Sequence, residues 1–136
     1  MFDDALSFTS KGAILIVAPE KSRAIVDTFV AKEYTVISLN GAEIKSKEEL
    51  FRYLSQAMKF PKYFGSNWDA LEECLNDLSW LPAKGYVLRF ANANNFINNC
   101  SSDFRMFVQI IESVSITWSI DKVDFILIVE IDNPQS

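Results

Sequence analysis

Four carboxylates, Asp69, Glu72, Glu73 and Asp77, stand in one short stretch that contains no Lys or Arg. Clustered carboxylates can exchange protons as an acid–base pair, hold a hard cation, or receive the basic groups of another molecule. The rest of the chain narrows the choice. It contains no His, which removes the commonest general base, the Ser–His and Cys–His nucleophile pairs and most zinc sites. Its four glycines, Gly12, Gly41, Gly65 and Gly85, stand far apart, so neither a phosphate-cradling loop nor a dinucleotide fingerprint exists. No catalytic residue, metal site or cofactor is expected. Chemistry by carboxylates alone stays open, but the charge fits a positively charged partner better.

The helical wheel sharpens this. On a helix from about residue 67 to 78, Trp68, Leu71, Leu75 and Leu78 form one apolar stripe with Cys74 beside it. Asp69, Glu72, Glu73, Asn76 and Asp77 fall on the other side. Asp69 lies three residues before Glu72 and four before Glu73, and Glu73 lies four before Asp77. Each like-charge neighbour costs roughly 0.2–0.5 kcal/mol. The helix dipole offsets Asp69 at the N-terminal end but opposes Asp77 near the other. Between residues 61 and 80, Lys62 against Asp69, Glu72, Glu73 and Asp77 leaves −3 of the chain's −5. A solvated helix face is the plain explanation of such a run. The aromatics around it, Tyr63 and Phe64 beside Gly65 and Trp80 just beyond the helix, point instead to a binding surface, because they supply rigid contact area around charge pairs.

The elements that must hold this helix follow from hydrophobic period and turn residues. The run Ala13–Val17, closed by Pro19, reads as a buried strand. Ile25, Val26, Phe29 and Val30 recur at helical spacing between residues 20 and 32. Residues 34–39 read as a second strand ending in the turn Asn40-Gly41. Ser46-Lys47-Glu48-Glu49 is a capping box opening a helix that Pro61 stops. After the loop and the acidic helix come a strand at 86–90, an asparagine-rich connector at 92–99 with one or two turns, a fourth helix from about Ser102, and a last strand at 123–130. Strands alternating with helices require long crossovers, hence a parallel sheet. The predicted class is α/β, one parallel sheet of about four strands with helices packed on it, in the order β-α-β-α-α-β-α-β. No linker or repeat divides the chain, so one domain is expected over residues 1–136.

Composition bounds the setting. An apolar content near half is ample for a core at this length. The acidic balance and the lack of any basic cluster argue against direct nucleic-acid binding. No apolar run approaches the roughly 20 residues of a membrane helix, and the acidic start (Met1-Phe2-Asp3-Asp4) is unlike an export signal. Cys74 and Cys100 then read as small buried hydrophobes of a reduced, cytoplasmic protein.

One segment carries more than chemistry. Ile37-Ser38-Leu39-Asn40-Gly41-Ala42-Glu43-Ile44, then Ser46 with Leu50, then Phe60-Pro61-Lys62-Tyr63-Phe64-Gly65-Ser66-Asn67-Trp68-Asp69-Ala70-Leu71-Glu72-Glu73-Cys74-Leu75, resembles the barstar family of ribonuclease inhibitors. The dense similarity spans about 36–75, with weaker similarity of pattern through Phe90 and the last helix and strand. Residues 34–132 would form the barstar-like core, and residues 1–33 an added strand and helix.

The resemblance implies an inhibitor that lays its acidic helix and the preceding loop into the active site of a small basic ribonuclease, one to one, with carboxylates where substrate phosphates bind. By that resemblance Tyr63 is the loop tyrosine of the interface, Asp69 its first acidic contact and Glu73 the acid reaching deepest. The expected binding set is Tyr63, Phe64, Gly65, Asn67, Asp69, Glu72, Glu73, Asn76, Asp77 and Trp80. Three departures stand out: Glu73 replaces an aspartate, Glu72 an aromatic contact, and Trp80 lies two positions later than the family's tryptophan. They fall in the contact surface while loop and core match, which predicts a related scaffold aimed at a different ribonuclease toxin, as in a bacterial immunity protein. The competing expectation is a non-inhibitory module binding some other cationic protein.

Overall fold

The computed structural model describes residues 13–62 and 64–132. Its frame is a four-stranded, wholly parallel sheet in the order β1-β4-β3-β2. The strands are β1 (Ile14–Val17), β2 (Thr35–Asn40), β3 (Gly85–Ala91) and β4 (Asp124–Glu130). Between them run α1 (Pro19–Ala31), α2 (Lys47–Ala57), α3 (Trp68–Asp77), the short α4 (Asn94–Asn99) and α5 (Ser101–Ser119). The α/β class, the parallel sheet and the element order agree with the sequence reading. The asparagine-rich connector adds one short helix, α4, where only a turn or two was expected.

Both faces of the sheet are covered, and the side chains divide between them with the two-residue period of a strand. Ile14, Leu39, Tyr86, Leu88, Phe90, Phe125, Leu127 and Val129 point into the larger core shared with α2, α3, α4 and α5. Leu15, Val17, Val87 and Ile128 point the other way, under Ile25, Val26 and Phe29 of α1. The central strands β3 and β4 therefore have apolar residues at almost every position, as strands buried on both faces must.

The α1 face changes character toward the carboxyl ends of the strands. There Arg89 Nε donates to Glu130 Oε2 at 2.6 Å, and Glu130 is only 4% exposed. The bond joins β3 to β4. A carboxylate so enclosed would cost several kcal/mol without such a partner, so the pair must persist once the strands are assembled.

Two turns fix the path toward α3. At Gly41 an added Cβ would lie 2.4 Å from the Asn92 carbonyl oxygen and 2.7 Å from that of Ala91, so only glycine lets the turn after β2 approach the end of β3. Asn40 Oδ1 secures the approach, accepting from Ala42 N at 3.0 Å and Asn92 Nδ2 at 2.9 Å. Ser46 Oγ then caps α2 by accepting from Glu49 N at 3.1 Å. The return bond of the expected capping box is displaced by one residue: Glu49 Oε1 accepts from Lys45 N, not from Ser46.

β1 lies along the outer edge of β4, pairing Ile14 with Leu127 through Val17 with Glu130. Ala13, Ile14, Leu15 and Val17 are all buried. Removing residues 1–19 would expose both sets of core contacts and the edge of β4, each buried aliphatic side chain being worth roughly 1.5–3 kcal/mol. By calorimetry or circular dichroism the truncated protein is expected to melt at least about 10 °C lower than the full chain. An unchanged melting temperature would show β1 to be a dispensable tail.

Candidate functional site

Helix α3 is placed by its apolar stripe. Leu71, Cys74, Leu75 and Leu78 are buried, and Trp68 is half-buried with its ring edge-on to Phe51 of α2 at 4.9 Å. The loop before the helix is anchored by aromatics as well: Phe64 meets Phe60 at 4.9 Å and Phe51 at 6.1 Å. Edge-to-face contacts of this kind contribute about 0.5–1.5 kcal/mol beyond burial alone. Asn67 starts the helix, its Oδ1 accepting from Ala70 N at 2.8 Å. Leu78 ends it in the left-handed conformation, φ 45°, a geometry that costs a leucine more than a glycine.

Two hydrogen bonds rivet α3 to α5. Trp118 Nε1 donates to the Leu75 carbonyl at 2.8 Å, supplying one of the last-turn carbonyls that a helix leaves unpaired. Ser113 Oγ donates to Glu72 Oε2 at 2.7 Å. Asn76 lies on the same flank, half-buried, its Oδ1 enclosed and without a donor among the described residues.

The polar side of α3 is thus not uniform. Asp69, Glu73 and Asp77, four residues apart in turn, form an exposed row along the helix. Glu72 and Asn76, expected on that surface, are instead half-buried, Glu72 against Ser113 of α5. Among the described residues none of the four carboxylates forms an ion pair. Asp77 Oδ1 accepts the Ser79 N–H at 3.3 Å. Three like charges therefore face outward with no cation among the described residues to meet them.

The remaining predicted residues divide. Gly65 and Asn67 are exposed beside Asp69, while Phe64 is half-buried in the aromatic cluster. Trp80 is half-buried and internally engaged: its Nε1 donates to the Met58 carbonyl at 2.9 Å and its ring meets Phe60 edge-on at 6.3 Å. It braces the chain beyond α3 against the end of α2, apart from the exposed row. Tyr63 lies outside the described residues. The sequence reading missed Met106, Ile110, Ser113 and Trp118 of α5, which wall or anchor the site. For Met106, Ile110 and Trp118 the signal was a helical apolar period that any core helix shares, and Ser113 gave none.

Two hollows flank Glu73. The larger, about 740 Å³, is an open groove between α3 and α5, lined by Trp68, Asp69, Glu72, Glu73, Met106 and Ile110 among others. The smaller, about 150 Å³, lies between Phe64, Glu73, Cys74 and Asp77. Glu73 stands on the ridge between them.

The family model described as Barstar (barnase inhibitor) matches residues 34–130. This chain belongs to the barstar family. It is 30% identical over 73 residues, 54% of this chain and 80% of the other, to the Bacillus subtilis (strain 168) protein named "Putative ribonuclease inhibitor YrdF". The family's proteins are inhibitors and not enzymes, and a barnase-inhibitor-like role follows for this one. The match begins at Tyr34, so β1 and α1 lie outside it.

Burial pushes the Cys74 thiol above its ordinary range, and the nearby carboxylates of Asp77 and Glu73 push the same way. The native state then keeps a proton that the unfolded chain has lost, so stability falls as pH rises through and beyond the ordinary thiol range. Iodoacetamide at about pH 8.5 should leave Cys74 unmodified in the folded protein and alkylate it in denaturant, as read by peptide mass spectrometry. Rapid labelling of the native protein would contradict the burial. Separately, Asn67→Ala should destabilise the protein by about 0.5–2 kcal/mol in urea titrations, through loss of the α3 cap.

Proposed function

We propose that the protein is a cytoplasmic immunity protein that binds a basic ribonuclease toxin one to one, seating the α3 row Asp69–Glu73–Asp77 in the nuclease active site. The observation that carries this is the row itself: three exposed carboxylates on successive turns, unrelieved by any cation of the described chain, on a helix whose other side is locked into the core. A ribonuclease active site is built to hold phosphates with Lys and Arg, and a row of carboxylates can meet the same groups. Glu73, at the middle of the row and between two hollows, is the acid that enters deepest. Asp69 sits beside it near the cap, and Asp77 lies toward the rim. Family membership and the ribonuclease-inhibitor name of the Bacillus relative favour a nuclease over other cationic proteins. Gly65 and Asn67 border the row, and Tyr63 completes the binding set by resemblance. Glu72, Asn76, Phe64 and Trp80 serve it chiefly by fixing the surface from behind.

The test is inhibition and binding kinetics against barnase and against any basic ribonuclease encoded beside the gene. Stoichiometric inhibition by a protein that cleaves no RNA itself is expected. Truncating one member of a buried charge pair costs roughly 2–5 kcal/mol, a range that includes measurements on barnase–barstar itself, and appears as faster dissociation. Glu73→Ala and Asp69→Ala should show that loss while melting unchanged or slightly higher, because a like-charge neighbour disappears. Asp77→Ala should lower the association rate and its salt dependence instead. Inhibition by Glu73→Ala equal to that of the parent would refute the assignment.

A further inference from the structure

β2 is the outer strand on one side of the sheet, and among the described residues no strand pairs with its outward edge. In a parallel ladder alternate residues turn their N–H and C=O groups toward the neighbour, so every second residue of β2 presents both groups outward. Proteins ordinarily blunt such an edge with a proline, a charged side chain, a bulge or a very short strand. β2 has none of these. Its sequence, Thr35-Val36-Ile37-Ser38-Leu39-Asn40, contains no charge and no proline. Its register with β3 runs unbroken from Thr35 against Tyr86 to Asn40 against Ala91.

The side chains along this edge are incompletely covered on both faces of the sheet. Val36 packs on the cluster beneath α1 and Ile37 on the larger core, yet each stays only half-buried. Ser38 and Asn40 are exposed. A strand laid along the edge would gain main-chain hydrogen bonds and cover apolar surface above and below the sheet at once. Charge is confined to the two flanks, Lys32 and Glu33 before the strand and Glu43 and Lys45 after it. Glu33 is held by Lys84, whereas neither Lys32 nor Glu43 has an ion pair among the described residues.

We infer that the β2 edge pairs antiparallel with the β2 edge of a second copy of this chain, joining two four-stranded sheets into one. A second copy fits because the edge complements itself. Two-fold pairing sets the start of each strand against the end of the other, which brings Lys32 toward Glu43 twice over while the uncharged centres meet at the axis. The contact closes on itself: it leaves β1 at either end of the joined sheet, so it yields a dimer and not a fibre. It also leaves the acidic surface free. α2 packs on β2, whereas α3 packs on α5 and α5 on β4, two strands away. Each copy keeps its own row of carboxylates.

The full chain is followed by sedimentation equilibrium and amide hydrogen exchange between about 2 and about 200 µM, since an edge contact of this extent belongs to the small, weak class of interfaces. The mass should rise from that of one chain toward that of two. Amides of alternate β2 residues should exchange at least about fivefold more slowly at the upper concentration. Ser38→Lys, which sets two like charges near the axis, should keep the mass of one chain throughout and melt as the parent does. Glu43→Lys should weaken the dimer about tenfold, and the double variant Lys32→Glu with Glu43→Lys should restore it, a pattern that loss of folding does not produce. A parent that stays monomeric at the upper concentration overturns the inference, as does a dimer that Ser38→Lys leaves intact or a mass that grows past two chains. β2 amides already slow in a monomer would show that chain outside the described residues covers the edge. Amides slowed only by added ribonuclease would assign the edge to that partner. Either result overturns it too.

Discussion

Everything about the acidic surface depends on how firmly one side of α3 is buried. Three carboxylates on consecutive turns repel one another, and a ten-residue helix in isolation is marginal even without that penalty. What permits the row is the stripe behind it: Leu71, Cys74, Leu75 and Leu78 are enclosed, and each buried leucine offsets several like-charge contacts. The Asn67 cap at one end and the Trp118 bond to the Leu75 carbonyl at the other remove two further sources of fraying. The repulsion is then carried by the rest of the fold, and the row stays rigid and unpaired. Such a surface meets a cationic partner without first having to break contacts of its own.

The same constraint explains the uneven polar side. On an ideal helix Glu72 lies only about 60° round the wheel from Leu75, at the margin of the apolar stripe. When α5 packs against that margin, Glu72 is carried into the interface between helices and takes Ser113 as its donor. Asp69, Glu73 and Asp77 lie farther round and remain in water. Position on the wheel, and not charge, separates the carboxylates that face solvent from the one that is partly enclosed.

The sheet serves this arrangement without taking part in it. α2, α3 and α5 share the face built on Tyr86, Leu88, Phe90 and Phe125, while α1 covers the opposite face through Ile25, Val26 and Phe29. The segment that lies outside the family match thus thickens the protein behind the site, covering the edge of β4 and enclosing the Arg89–Glu130 pair, and leaves the acidic row untouched. Added strands at an edge cost a fold little, because they extend an existing hydrogen-bond ladder and need only cover one more strip of apolar surface.

The sequence by itself determined the features that depend on local periodicity and turn chemistry. The run Ala13–Val17 read as a buried strand; Asn40-Gly41 and Ser46 marked where elements stop and start, while α2 ends at Ala57, four residues before the expected stop at Pro61; and the spacing of Asp69, Glu73 and Asp77 placed them on one line, because 3.6 residues make a turn whatever the surroundings. What only the tertiary structure decided lies between elements distant in the chain. That Ser113 would reach Glu72, that Trp118 would close α3, and that Met106 would stand across from Asp69 all depend on how α5 docks, and its own period says only which stripe is apolar, not what it meets. Trp80 shows the same limit. Its place after the helix suggested a contact surface, yet the indole N–H is claimed by the Met58 carbonyl at the end of α2, because a polar group drawn into a half-buried position takes the nearest acceptor the fold brings to it.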